Sequence, residues 1–435
     1  MFDPVNEPSF RLDVAGLPDA FDVLAFTGRE AISEPFVFEV DLLIDDPALD
    51  LASLLYRGAF LQFETVENGV HGQLLELVQR EHGALSRLCR VRMGPKLACL
   101  AQRFSQRMFC ARSVPQILDQ VLKEHGITGK ARRFEFGGDY PPREFCTQYR
   151  ESDLQFFQRL CAEAGLHYHF EHQSRGHCLV ISDGPGPSDR AETLVFRRDN
   201  PPATVCRFEV QGRAQATPVA EGRTDLTTLR SGQLMPLAGH PISDWNQLWR
   251  LTHIEHQGGQ HPVFPYSNTI RAIPWEVPFM ASQKVAKPRM SSLQRAWVVD
   301  VEAAHPDPSR PVAVQFDWLY QGEGATPGHC WLPWAPELRD SAVAQLREGT
   351  EVVVSFIEGD PDQPLITGLL QTPLSVSEAQ PASTTAAPDG LLTLLQSSEP
   401  LVLLCLLPGG GSFSHCRQAV CTCRAATLFG QSGAA

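Results

Sequence analysis

The segment YRESDLQFFQRLCAEAGLHYHFEH, Tyr149 to His172, ends with histidines and a glutamate at alternating positions, residue types that ligate zinc or carry protons. In an extended strand His167, His169 and Glu171 share one face, while Leu166, Tyr168 and Phe170 share the other. Three protein ligands leave a structural zinc site one short unless water supplies the fourth. The segment is therefore expected to be a structural strand whose histidine face is wet. A second cluster, His253, Glu255, His256 and His261 in HIEHQGGQH, is expected at a strand end and turn as surface polar residues. A third, His415, Cys416, Cys421 and Cys423 in HCRQAVCTC, has metal-like composition, but its spacing matches no common zinc pattern. Glu151 and Asp153 form a carboxylate pair at a helix start, where acids favour the helix dipole. The sequence holds no G-x-S-x-G elbow, no H-E-x-x-H and no Walker loop; HGITGK lacks the phosphate-loop spacing. Accordingly no catalytic residue, no cofactor-binding residue and no metal ligand is assigned.

The elements that must position these side chains carry their own signals. Ser152 with Gln155 three residues on predicts a capped helix start, Leu154, Phe157, Leu160, Cys161 and Ala164 form its apolar stripe, and Gly165 stops it. SVPQILDQVLKEHG repeats the pattern: Ser113 and Gln116 cap, Val114, Ile117, Leu118, Val121 and Leu122 make the apolar face, and Gly126 ends it. From Phe10 to about Val78 alternation as in FVFEVDLLI predicts strands, and so do CLVISD, ETLVFRR, VCRFEV and QLWRLTHIEH. A mainly β region with a few inserted helices suggests barrels rather than a βαβ sheet. VAKPRMSSLQ, near Lys284 to Gln294, reads as a linker, and AWVVDVEAA, VAVQFDWLY, HCWLPWA, EVVVSFIEG and PLITGLLQ as five strands of a small closed barrel with Gly359, Asp360 and Pro361 in a turn. After Thr372 a Pro/Ser/Thr/Ala linker leads into an apolar last part broken by PGGGS.

A chain of 435 residues with 43% hydrophobic residues can bury a large core in two or three domains. The formal charge of -13 argues against a nucleic-acid binder, which needs an excess of Lys and Arg on its binding surface. Trp318, Tyr320, Trp331 and Trp334 could stack on bases, but the segment around them is acidic, so core packing or protein contact is expected. Between Arg80 and Arg133 twelve basic residues face three acidic ones, and between Val298 and Ser375 twelve acidic face three basic. Such opposed segments could steer assembly between chains or domains, or be two solvated faces. MFDPVNEPSF has neither the basic nor the apolar part of an ordinary signal peptide, and the longest apolar patch, LVLLCLL from Leu401, is too short to span a membrane. The protein is expected to be cytosolic when made, with its 12 scattered cysteines as buried reduced thiols.

The Tyr149–His172 segment, followed by YSNTIRAIPWEVPF (Tyr266 to Phe279) and EGTEVVVSFIEGDPDQPLITG (Glu348 to Gly368), resembles the VgrG spike proteins of bacterial type VI secretion, from about Phe10 to Leu370 and in the family's order. The resemblance implies a mainly β fold with inserted helices: a phage-hub-like domain of two related barrels over residues 1–290, an oligonucleotide/oligosaccharide-binding barrel as neck over 291–373, and a linker with a short apolar tail over 374–435. It implies a non-catalytic homotrimer that seats on the hexameric Hcp tube, leads at the tip and carries effectors outward. It further implies assembly in the cytoplasm, delivery outside or into a target cell, contact with a target membrane only during puncture, no nucleic acid, and a PAAR tip protein, effector or adaptor at the C-terminus. Only about 60 residues follow Leu370 and no valine-glycine repeat is among them, so neither a long β-helix needle nor an appended enzyme is expected, and LLTLL and LVLLCLL are expected to pack along a trimer axis or to receive an effector or adaptor. The alternatives are the hub of a phage-derived contractile tail, and a metal-dependent cell-wall hydrolase using His167, His169 and Glu171.

Overall fold

In strand β1 (Phe10–Val14) every second side chain is buried, Phe10, Leu12 and Val14, as a two-residue period requires of a sheet with one face on a core. Alternation continues through β2 (Phe21–Ala31), β3 (Glu34–Ile44), β4 (Gly58–Phe63), β5 (Gly69–His82) and β6 (Arg87–Gly94). These strands run in the order β1-β4-β5-β6-β3-β2, and β1 pairs with β2 as well as with β4, so the sheet closes into a six-stranded barrel. Phe26, Phe38, Leu61, Phe63, Val70 and Met93 belong to its buried core. Gly28 leaves room for that core: a Cβ there would stand 2.1 Å from the Phe38 ring. The computed structural model describes residues 10–46, 48–63, 68–82, 86–173, 176–184, 190–198, 204–212, 217–259, 265–279, 286–300, 310–318, 329–338 and 346–370.

An α/β excursion follows the barrel: β7 (Phe104–Arg112), α1 (Val114–Glu124), β8 (Arg132–Glu135), β9 (Arg143–Ser152), α2 (Asp153–Glu163), β10 (His167–Gln173) and β11 (Gly176–Ser182). Both helices start as their residues predict, with Gln116 Oε1 accepting the Ser113 N–H at 3.0 Å and Gln155 Oε1 accepting the Ser152 N–H at 2.9 Å. Gly126 and Gly165 follow in the left-handed region, φ +65° and +68°, where glycine alone carries no Cβ penalty. All five expected apolar residues of α1 are buried; α2 adds Phe156 and the guanidinium of Arg159 to its buried face. β7 pairs with β9, and β8 runs parallel to β11, which pairs antiparallel with β10.

The chain then builds β12 (Leu194–Val195), β13 (Val205–Gln211), β14 (Val219–Thr224), β15 (Leu234–Ala238), β16 (Leu248–Gly259) and β17 (Ser267–Pro274). β16 pairs with β2, so the order continues off the barrel as β2-β16-β17-β14-β13, a half-barrel sheet whose core includes Phe208, Trp249, Leu251, Ile254 and Ile270. Of the two barrels expected for the first domain, one is closed and the other is this half-barrel. The described residues of Met1–Ser292 and Phe356–Pro364 form one compact unit; those of Leu293–Ser355 and from Leu365 onward form a second. In the first unit, residues 286–292 are more than the expected linker: Lys287 ion-pairs with Asp360 at 2.6 Å and Asp362 at 2.7 Å, and Met290 is buried.

The second unit is a five-stranded sheet of β18 (Gln294–Asp300), β19 (Val312–Phe316), β20 (Cys330–Leu332), β21 (Glu351–Phe356) and β22 (Pro364–Leu369) in the order β20-β19-β18-β21-β22. A parallel bridge between Trp334 and Ile366 joins its two ends, which closes it as the five short strands predict. Val298, Val314, Phe316, Leu332, Val352 and Ile366 are buried in it.

Candidate functional site

Strand β10 brings His167, His169 and Glu171 to one face, but on that face both histidines are buried, not wet, and Glu171 is half-buried. The reason is a neighbour that local pattern does not report. His167 Nε2 lies 2.9 Å from Ser182 Oγ with the Phe279 ring 6.1 Å away, and Gly232 approaches so closely that a Cβ there would stand 2.7 Å from the His169 ring. Burial lowers the affinity of both imidazoles for a proton, His167 to about 4, with the Arg250 charge adding to it. Glu171 is gripped by both terminal nitrogens of Arg133, one at 2.9 Å, and stands 3.9 Å from His169 Nε2. A fork-shaped cation thus takes the carboxylate that a metal would need.

The second cluster lies within the long strand β16 rather than at its end. His253 pairs with Glu255 at 3.2 Å, and His261 is outside the described residues. His256 is fully buried: its Nδ1 is 2.7 Å from the Tyr266 hydroxyl, and its Nε2 is 3.2 Å from Glu30 Oε1 on β2. Asn268 donates to the same tyrosine oxygen at 3.0 Å. Arg230 stands 3.9 Å from Glu30 and itself donates to Asn68 Oδ1 and the Gly69 carbonyl. Burial opposes a charge on Glu30, yet the His256 ring and the Arg230 charge outweigh it and hold the carboxyl at about 2.

Asp153, expected to complement a helix dipole, does more: it is wholly buried and collects Arg103 Nε at 2.6 Å, His125 Nε2 at 2.7 Å and Gln148 Nε2 at 2.8 Å. Burial works against its charge, but the bonds from His125 and Gln148 and the Arg107 charge keep its carboxyl well below the usual range. Glu151 is held by the buried guanidinium of Arg159, which also reaches Glu163 and the Thr147 carbonyl. The described cysteines are free thiols, and burial pushes Cys146 up to about 12, too high for a thiolate nucleophile at neutral pH. Among the described residues no group of three or more His, Cys, Asp or Glu is placed to hold a metal ion.

Sequence reasoning missed the roles of Glu30, Arg133, Arg159 and Arg230; of these only Arg159, among Phe156, Phe157, Leu160 and Cys161, carries a local signal, a charge on an otherwise apolar helix face. Seven of the twelve basic residues from Arg80 to Arg133 pair with carboxylates within their own unit: Arg90 with Asp41, Arg92 with Glu76, Arg103 and Arg107 with Glu124 and Asp153, Lys123 and Arg132 with Asp119, and Arg133 with Glu135 and Glu171. Of the aromatic set, Trp334 is buried, Trp331 is exposed, Trp318 packs 5.2 Å from the Phe316 ring, and Tyr320 lies outside the described residues, as does the His415–Cys423 cluster. No helix among the described residues is long and apolar enough to cross a membrane.

Comparison with known proteins places these features in a family setting. A family model described as the phage tail baseplate hub (GPD) matches residues 29–220. The chain is 35% identical to the type VI secretion system spike protein VgrG4b of Pseudomonas aeruginosa, over 85% of this chain and 57% of that protein. It is 34% identical to the spike protein VgrG5 of the same organism, over 85% of this chain and 58% of that one. The chain thus spans little more than half the length of the curated relatives it matches. Among solved structures, the E. coli c3393 protein, described as a component of the type VI secretion system with structural similarity to the T4 bacteriophage tail proteins gp27 and gp5, superposes with a TM-score of 0.69 at 22% identity, covering 82% of this chain and 99% of that one.

Proposed function

The chain is homologous to the VgrG spike proteins of type VI secretion, and from that kinship we propose that it is a non-catalytic hub and spike component working as a homotrimer. The observation that carries this reading is the continuous sheet in which a closed barrel passes through the β2–β16 pairing into a half-barrel. Each chain then offers two sheet lobes, and three chains offer six, a number suited to seating on a hexameric Hcp tube. Residues 1–290 act as the hub and 291–373 as the neck, while 374–435 receive a tip protein, effector or adaptor. The assembly forms in the cytoplasm and leaves through the secretion machine, meeting a target membrane only during puncture. Incubation of the purified chain with Hcp rings, followed by electron microscopy, tests the seating: rings capped at one face are expected, and rings bare at stoichiometric excess of the chain would remove it.

A second reading, the hub of a phage-derived contractile tail, is favoured by the baseplate-hub match over residues 29–220. Binding to a phage tail tube protein in preference to Hcp would select it. The hydrolase reading loses its residues, since Arg133 occupies Glu171 and Ser182 engages His167.

A further inference from the structure

The histidine strand has a chemistry that the spike reading does not use. The β10–β11 hairpin packs on both sides. On the barrel side, His172 Nδ1 accepts the His71 N–H of β5 at 3.1 Å, and Phe36 of β3 stands edge-on to His172 and His177 at 5.2 and 5.7 Å. On the half-barrel side, His167 and His169 meet Phe279 and Gly232. Four histidines of one hairpin therefore lie in its packing contacts, and His172 Nε2 is sealed from solvent without a hydrogen bond.

We propose that the hairpin is an acid-released wedge: protonation of His167, His169, His172 and His177 drives it out of the seam between barrel and half-barrel while the five-stranded unit stays folded. The charged groups around it explain why. On the barrel side stand Glu30 of β2, His256 of β16, Arg230, His71 of β5, and Asp13 and Lys96. On the other side stand Arg250 of β16, Arg133 and Glu135 of β8, Glu171 and Asp183. The carboxylates closest to the imidazoles are already engaged: Glu30 by His256 and Arg230, Glu171 and Glu135 by Arg133, and Asp183 by Tyr140 and the Gly137 and Gly138 amides. Arg230 and Arg250 repel an imidazolium. A cavity of about 420 Å³ lined by His71, His177, Phe170 and Gly176 gives water and protons access to the barrel side.

The direction of the effect follows from linkage. Burial holds the folded-state affinity of these histidines for protons below the ordinary value of 6.5, with His167 and His177 at about 4. The released hairpin binds protons first as pH falls through 6.5, so the wedge is fully held above that pH and loses stability progressively down to about 4.

Amide hydrogen exchange on the full chain at pH 7.5 and 5.0, corrected for intrinsic rates, tests the wedge. Exchange in peptides covering 167–173 and 176–182 should rise about tenfold or more at pH 5.0, while 312–316 and 351–356 do not change; each extra proton bound on release is worth a tenfold shift per pH unit. The double variant His172→Asn, His177→Gln, which keeps neutral hydrogen-bonding groups, should lose much of the rise. Unchanged hairpin exchange, an equal rise everywhere, or a full response in the variant would overturn the proposal. A readout on the unmodified chain stands beside the variant: histidine C2-hydrogen exchange should give midpoints well below 6.5 for the four hairpin histidines, and midpoints at or above 6.5 would overturn it equally.

Discussion

At the scale of single residues, the buried carboxylates Glu30 and Asp153 are held by partners distant in sequence. Asp153 has no exposed side-chain surface and three close donors, so Asp153→Ala leaves Arg103, His125 and Gln148 around a vacated site. A buried charge network broken on one side typically loses 3–5 kcal/mol, so urea denaturation should show a loss of roughly that size, with Asp153→Asn closer to wild type. Glu30 supplies a pH signature of the opposite sort to the histidines. Its folded carboxyl at about 2 lies below its ordinary 4.5, so its stabilisation is present above pH 4.5 and is lost as pH falls toward 2. In Glu30→Gln that limb of an acid-unfolding curve should flatten; an unchanged limb would mean that the His256 and Arg230 contacts do not hold the charge. Little of this was legible in the sequence. His256 stood out by type, but its partner Glu30 is one glutamate in an ordinary strand, and only the β2–β16 pairing brings the two together.

At the scale of elements, local signals served well wherever the stabilising contact is itself local. The caps at Ser113 and Ser152, the glycine stops and the apolar face of α1 all depend on neighbours three or four residues away, which sequence spacing reports. Ser152→Ala should cost about 1 kcal/mol of stability, as lost caps do, and Leu160→Ala, at a fully buried position of α2, about 2–5 kcal/mol; thermal or urea unfolding measures both. The histidine face of β10 was misjudged as wet because alternation tells which side chains share a face, not what covers it. The boundary between the two units, at Ser292, falls inside the segment read as a linker, but the ion pairs of Lys287 were not legible there, since their carboxylates come from a turn far along the chain. Gly28 marks another non-local demand: Gly28→Ala forces a methyl into the Phe38 ring and should destabilise the barrel by about 1–3 kcal/mol, read by the same denaturation.

At the scale of the molecule, the strand-rich composition and the five evenly spaced C-terminal strands made a mainly β architecture and a small closed C-terminal barrel legible, while the pairings that close the sheets were not. Whether a row of strands becomes a barrel depends on pairings such as β1 with β2 and Trp334 with Ile366, which no local window contains. The contrast between a basic and an acidic segment is another whole-chain feature that the fold reinterprets, because Arg90, Arg92, Arg103, Arg107, Arg132 and Arg133 find their carboxylates inside the first unit. The central claim is the trimer, and light scattering on the purified chain measures it directly. A mass near three times 48.1 kDa, constant on dilution through the micromolar range, is the predicted result. A monodisperse mass of one chain under the same conditions would contradict the spike reading.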